Sequence, residues 1–168
     1  MEAKVSIIMG SMSDWPVMEK AAQFFEEMQI PFEIHALSAH RTPAEVEKFA
    51  KNASTKGIQV IIAAAGMAAH LPGVIASMTS VPVIGVPIKS SFDGLDALLA
   101  IVQMPPGIPV ATVGVNGALN SAILAGQILS VGNPKLAEKM LVYKNNLKEK
   151  VIQANEELKQ VIFSYKTN

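Results

Sequence analysis

With 168 residues, half of them hydrophobic and 17% charged, the chain suits one globular domain with a sizeable core and excludes a disordered one. Its 14 basic and 14 acidic side chains cancel, which argues against a nucleic-acid partner but leaves room for a phosphorylated small molecule, since one Arg and a few backbone amides suffice to hold a phosphate. The absence of cysteine excludes disulfides, thiolate catalysis and cysteine-bound metal, and with only 5% aromatics the core must be built from Val, Ile, Leu, Ala and Met.

Val5 to Met9 is a short apolar run ended by Gly10 and reads as a buried strand. The residues before it lack the charged-then-apolar pattern of an export signal. The longest apolar stretch, Val60 to Ala69, is too short to span a bilayer, so a cytoplasmic location without membrane contact is expected. Ser13 or Asp14 can cap a helix that runs to about Met28, with Pro16 in its first turn. Phe32 to Leu37 is the second strand, and Thr42-Pro43 opens a helix that Gly57 stops after Lys56.

Ile58 to Ala65 is apolar throughout, as a strand covered on both faces is. Leu71 to Met78 is a short helix, Val81 to Val86 a fourth strand, and Gly94 to Gln103 a helix that ends before Pro105-Pro106. Ile108 to Val115 is the fifth strand and Ala118 to Leu129 the helix after it. Five alternations of strand and helix with short links predict a three-layer α/β/α sandwich around a five-stranded parallel sheet, in a flavodoxin-like order. Residues 1–132 form this core. A long charge-rich helix, about Lys135 to Tyr165 within residues 133–168, carries an apolar stripe of Leu136, Met140, Tyr143, Leu147, Val151, Leu158 and Ile162. The five-strand pattern already supplies enough helices to cover its sheet, so this stripe is expected to contact another subunit.

Ligands of such sheets bind outside the carboxyl ends of the strands, which directs attention to the loops after strands one to four. Three of them stand out. Gly10-Ser11-Met12-Ser13-Asp14 joins a strand to a helix start with small and hydroxyl residues; it reads either as a plain helix cap or as a phosphate cradle in which Asp14 accepts from a ribose hydroxyl. Ser38-Ala39-His40-Arg41-Thr42-Pro43 sets an imidazole able to exchange a proton near neutral pH beside a forked guanidinium, or else two solvated surface side chains. Ala64 to Gly73 places His70 after a run of small residues that permits close approach of a ligand; tight strand–helix packing is the alternative. His35 lies within a strand and receives no role. No acidic cluster accompanies the histidines, so no metal site is expected, and no glycine-rich dinucleotide motif or P-loop lysine occurs.

GSMSD at 10–14, SAHRTP at 38–43, AHLPG at 69–73, PVIGVP at 82–87 and IVQMPPGIPV at 101–110 resemble, in the same order, the PurE family of purine biosynthesis, and AHLPG resembles its class I mutases. The resemblance implies an octameric, flavodoxin-like enzyme that converts N5-carboxyaminoimidazole ribonucleotide to 4-carboxy-5-aminoimidazole ribonucleotide without cofactor or metal. It implies His40 as the catalytic acid/base and Ser11, Asp14 and Arg41 as substrate-binding positions, with Ser13, Ser38 and His70 beside them. The chain departs from the family's AGAGGAAHLPG at Ala64 and Met67, where glycines are usual, and reads Val113-Gly114-Val115-Asn116 where the family usually reads AIG.

Two other classes are disfavoured by the same residues. A phosphoryl receiver needs acidic residues at the ends of strands one and three, where this chain has Met9-Gly10 and Ala64-Ala65, and a flavin site would have only Trp15 and Phe92 for stacking. Within enzymes, the competing reading is the class II reaction, direct carboxylation of the aminoimidazole ribonucleotide with carbon dioxide.

Overall fold

A computed structural model describes residues 2–168. Five strands, β1 (Val5–Met9), β2 (Phe32–Ala36), β3 (Val60–Gly66), β4 (Val83–Ile88) and β5 (Ala111–Thr112), form one parallel sheet in the order β2-β1-β3-β4-β5. This is the expected flavodoxin-like order, with helices on both faces. β1 and β4 are buried at every position, which explains why their sequences show no polar alternation.

Successive strand residues face opposite sides. On one side, Ile8, Ile61 and Ala63 share a cluster with Val46 and Phe49 of α2 (Pro43–Asn52), Ile75 of α3 (Leu71–Ala76) and Ile101 of α4 (Leu95–Val102). Ile7 and Ile62 alternate to the other side, that of α1 (Trp15–Met28), whose Met18, Ala21 and Phe25 are fully buried. α5 (Ala118–Ser130) buries Ala118, Ala122 and Ala125. Each such Ile, Val or Phe contributes about 1.5–3 kcal/mol through burial. The core is mostly aliphatic, as the composition predicts, but Phe24, Phe25 and Phe49 are buried in it as well.

Several element ends differ from the sequence reading, and three have a clear local reason. β4 passes through Pro87 to Ile88 rather than ending at Val86. Gly85 accepts from Val113 N–H, so Gly85 and Pro87 aim their backbone groups at β5, whose ladder stops at Thr112. The missing N–H of Pro87 thus interrupts no pairing with β3. β5 spans two residues instead of eight because Pro109 has no donor and only Ala111 and Thr112 pair with β4. α2 ends at Asn52, where Asn52 Nδ2 takes the Lys48 carbonyl at 2.7 Å and Thr55 Oγ1 takes that of Asn52 at 2.9 Å, in competition with the helix ladder.

The chain divides into two compact units, Met1–Leu129 and Ser130–Asn168. The second is dominated by α6 (Pro134–Lys159), which starts where the Asn133 side chain accepts from Leu136 N–H at 3.1 Å and Pro134 supplies a preset φ. It ends six residues before the expected Tyr165, because Gln160 and Val161 bond three residues back rather than four. Of the apolar stripe, Leu136 and Met140 are buried, whereas Leu147, Val151, Leu158 and Ile162 are exposed. Among the described residues no helix is long and apolar enough to cross a membrane.

Candidate active site

The register sets the carboxyl ends of the strands level: Met9 of β1 pairs with both Ala36 of β2 and Ala64 of β3. The loops that follow β1, β2, β3 and β4 therefore rise side by side. They enclose a cleft of about 500 Å³, lined by Ser11, Ser13, Asp14, Ser38, His40, Arg41 and His70 among others. All seven residues singled out in the sequence thus meet in one cleft.

The first loop is a helix cap whose residues also line the cleft. Ser11 Oγ accepts from Ser13 N–H at 3.3 Å and so caps a single 3-10 turn over Met12–Asp14. Asp14 occupies the N-cap position of α1 but makes no capping bond with its side chain, so the carboxyl is not spent on the helix. It is only 8% exposed. Burial pushes the Asp14 carboxyl above its ordinary value, while bonds from Ser13 and the backbone of Ser11 and Gly10, and the charge of Arg41, pull it back.

A carboxyl raised in the folded state favours folding most below its unfolded value, and this contribution is lost as pH rises through the folded value. Asp14→Asn, which stays neutral, is therefore expected to melt above the unmodified protein at pH 7. The gap should close as pH falls below ~4. Thermal melts between pH 3 and 7 check this; a gap that does not change with pH would exclude the buried charge as its cause.

The second loop is held by its own hydroxyls. Thr42 Oγ1 accepts from Ser38 N–H at 2.9 Å and donates to Ser38 O at 3.1 Å, closing residues 38–42 into a ring. Ser38 Oγ in turn accepts from Arg41 N–H and Nε at 3.2 and 3.4 Å, and Arg41 Nη2 donates to Gly10 O at 2.9 Å. The guanidinium is thereby aimed across the β1 loop, with its remaining donors left for a ligand.

The third loop brings the second histidine to the first: His40 Nε2 lies 2.9 Å from His70 Nδ1, with the rings edge to face at 77°. One ring must donate and the other accept. If His40 donates from Nε2, its Nδ1 holds a lone pair and is a base; if His70 donates, His40 Nδ1 carries the proton. The pair can thus present a proton or a proton acceptor to the cleft by exchanging tautomers. Gly66 stands where a Cβ would come within 3.3 Å of Ile88 O, which keeps this wall of the cleft down to backbone. His35 lies on β2, its Nε2 3.1 Å from Glu33 Oε1, and does not line the cleft.

The fourth loop was missed by the sequence reading. Ile88, Lys89 and Ser90 complete the cleft. The rule that directed attention to strand ends covered this loop too, but its Lys-Ser-Ser run lacks a histidine or a glycine series to single it out. Among the described residues no group of three His, Cys, Asp or Glu side chains could hold a metal ion.

The family model described as AIR carboxylase matches residues 4–150. The chain belongs to this family, the PurE family. It is 57% identical over 146 residues to the N5-carboxyaminoimidazole ribonucleotide mutase of Pyrococcus abyssi, covering 86% of this chain and 84% of that protein. It is 54% identical over 159 residues to the protein of the same name from Thermotoga maritima, covering 94% and 93% of the two chains. The crystal structure of Treponema denticola PurE superposes with a TM-score of 0.85 at 30% identity, covering 93% of this chain and 98% of that one.

The two departures from the PurE pattern prove unequal. Ala64 is fully buried in β3 and does not line the cleft, whereas Met67 lines it, 59% exposed, with φ +52°. That left-handed conformation suits the usual glycine and strains a side chain with a Cβ. Met67→Gly is expected to stabilise the fold by about 1 kcal/mol, less whatever the added freedom of the unfolded chain offsets. Urea unfolding measures it; a loss of stability would mean that Met67 contributes packing that outweighs its backbone strain.

Proposed function

We propose that the chain is an N5-carboxyaminoimidazole ribonucleotide mutase of purine biosynthesis, moving a carboxyl group from the exocyclic nitrogen to carbon 4 of the imidazole. The observation that carries this reading is the meeting of His40, His70, Arg41, Ser11 and Asp14 in one cleft, from loops that also bear the PurE motifs. Arg41, held by Ser38 and aided by Ser11 and Ser13, binds the phosphate; Asp14 accepts from a ribose hydroxyl.

The chemistry asks little more of the protein than position, confinement and one proton. An aminoimidazole is an enamine, so carbon 4 is already nucleophilic and needs no electron sink. The N–C bond breaks to release carbon dioxide as His40 gives the nitrogen a proton. Carbon 4 then attacks the trapped carbon dioxide, and His40 takes the proton that carbon 4 loses. Substrate and product are isomers, and the histidine ends as it began. Ala65, Gly66 and Ala68 supply a wall small enough to keep the carbon dioxide beside the ring. Neither cofactor nor metal has a step to perform. Conversion should therefore proceed in EDTA without ATP; activity lost to EDTA and restored by a divalent ion would overturn this scheme.

The same reading extends to assembly. α6 exposes Leu147, Val151 and Leu158, an apolar row that normally marks an interface. We assign it to contacts within a homo-octamer in the cytoplasm, as the C-terminal element of a core that ends near residue 132. Truncation after Gly132 should give a smaller particle by light scattering, with activity falling alongside. An unchanged octamer would show that other surfaces join the subunits.

A further inference from the structure

We infer that Lys89 recognises the carboxyl group that is moved, an assignment that rests on the mutase reading. Substrate and product each carry that carboxylate in addition to the phosphate, so two anionic groups must be met in one cleft. Apart from the histidines, the cationic side chains that line it are Arg41 and Lys89. They stand at opposite ends. Arg41 follows β2 and Lys89 follows β4, three strand spacings apart, about 14 Å along the sheet edge, with β1 and β3 between. A nucleotide whose phosphate sits at Arg41 reaches His40 and His70 with its ring and directs its carboxyl onward, toward the end of β4.

The base of Lys89 is fixed while its head is exchangeable. Lys89 N–H donates to Asn116 Oδ1 at 2.9 Å, and Asn116, itself at φ +56°, donates its N–H to Pro87 O at 2.8 Å. Gly94 closes the loop at φ +87°, where a Cβ would lie 3.2 Å from Lys89 Cα and 2.6 Å from Val115 Cγ1. Residues 90–94 are thus folded back onto Lys89. The ammonium, by contrast, pairs 2.9 Å from Asp93 Oδ1, with the two side chains 58% and 87% exposed. A pair so open to water is weak. A ligand carboxylate within the cleft is better shielded than Asp93 and competes for the same ammonium on favourable terms. Asp93, which does not line the cleft, holds the Lys89 ammonium in the free protein and yields it to the substrate.

The test compares two nucleotides that differ only in the carboxyl: 4-carboxy-5-aminoimidazole ribonucleotide and 5-aminoimidazole ribonucleotide. Calorimetric titration of Lys89→Met should show the carboxylated nucleotide bound roughly tenfold more weakly or worse, the scale of a lost charge-assisted hydrogen bond. The decarboxylated one should lose less than about twofold, and Lys89→Arg should recover most of the difference. Equal losses for both nucleotides, or no loss for either, would overturn the assignment. Wild-type protein that bound neither nucleotide would remove the mutase reading, and this assignment with it, whereas wild-type binding of both with Lys89→Met unaffected removes Lys89 alone.

Discussion

His40→Asn is expected to lower turnover by roughly two orders of magnitude or more while leaving the protein folded. His40 is exposed and packs no core, so its removal creates no cavity. Asn retains a polar group toward His70 but cannot exchange a proton. Arg41 and the β1 loop remain to hold the nucleotide, so the loss should appear in kcat with KM little changed. Near-normal turnover in a folded variant would eliminate His40 as the proton carrier. His70→Asn is the informative companion: it removes the partner 2.9 Å from His40 Nε2. A smaller loss there fits a residue that sets the tautomer of His40.

Arg41→Lys is expected to weaken nucleotide binding about 10- to 100-fold, because an ammonium cannot reproduce the fork of a guanidinium. The structure adds a second cause. Arg41 spends Nε on Ser38 Oγ within its own loop and Nη2 on Gly10 O, the second of which ties the β2 loop to the β1 loop. Lys can make one of these only by giving up the ligand. The dephosphorylated nucleoside should lose much less than the nucleotide. Equal losses in titrations of both would place Arg41 away from the phosphate.

Much of this site was legible in the sequence because the fold rule is topological. Once strands and helices alternate, functional side chains collect at strand ends, and His40, Arg41 and His70 are there. The β3 run was legible as well, since a strand covered on both faces shows no alternation to misread. What escaped depended on pairing. Pro87 ends a strand by local preference, and only the side to which its missing N–H points lets β4 continue. The brevity of β5 likewise reflects which residues find partners on β4. The contrast between Ala64 and Met67 turns on one residue facing the core and the other the cleft, which the small-residue run cannot signal. The contact between His40 and His70 spans 30 residues of chain, and nothing local encodes it. Lys89 was hidden for a plainer reason: a single lysine in a loop is most often a solvated charge.

As a mutase, the protein moves a carboxyl group already present on its substrate. The most direct measurement incubates the purified protein separately with N5-carboxyaminoimidazole ribonucleotide and with 5-aminoimidazole ribonucleotide plus bicarbonate, and follows formation of 4-carboxy-5-aminoimidazole ribonucleotide. Efficient conversion of the first is expected, with no requirement for added bicarbonate, and little product from the second at ordinary bicarbonate concentrations. Efficient carboxylation of 5-aminoimidazole ribonucleotide, with the N5-carboxylated compound turned over no faster than it decomposes unaided, would contradict it.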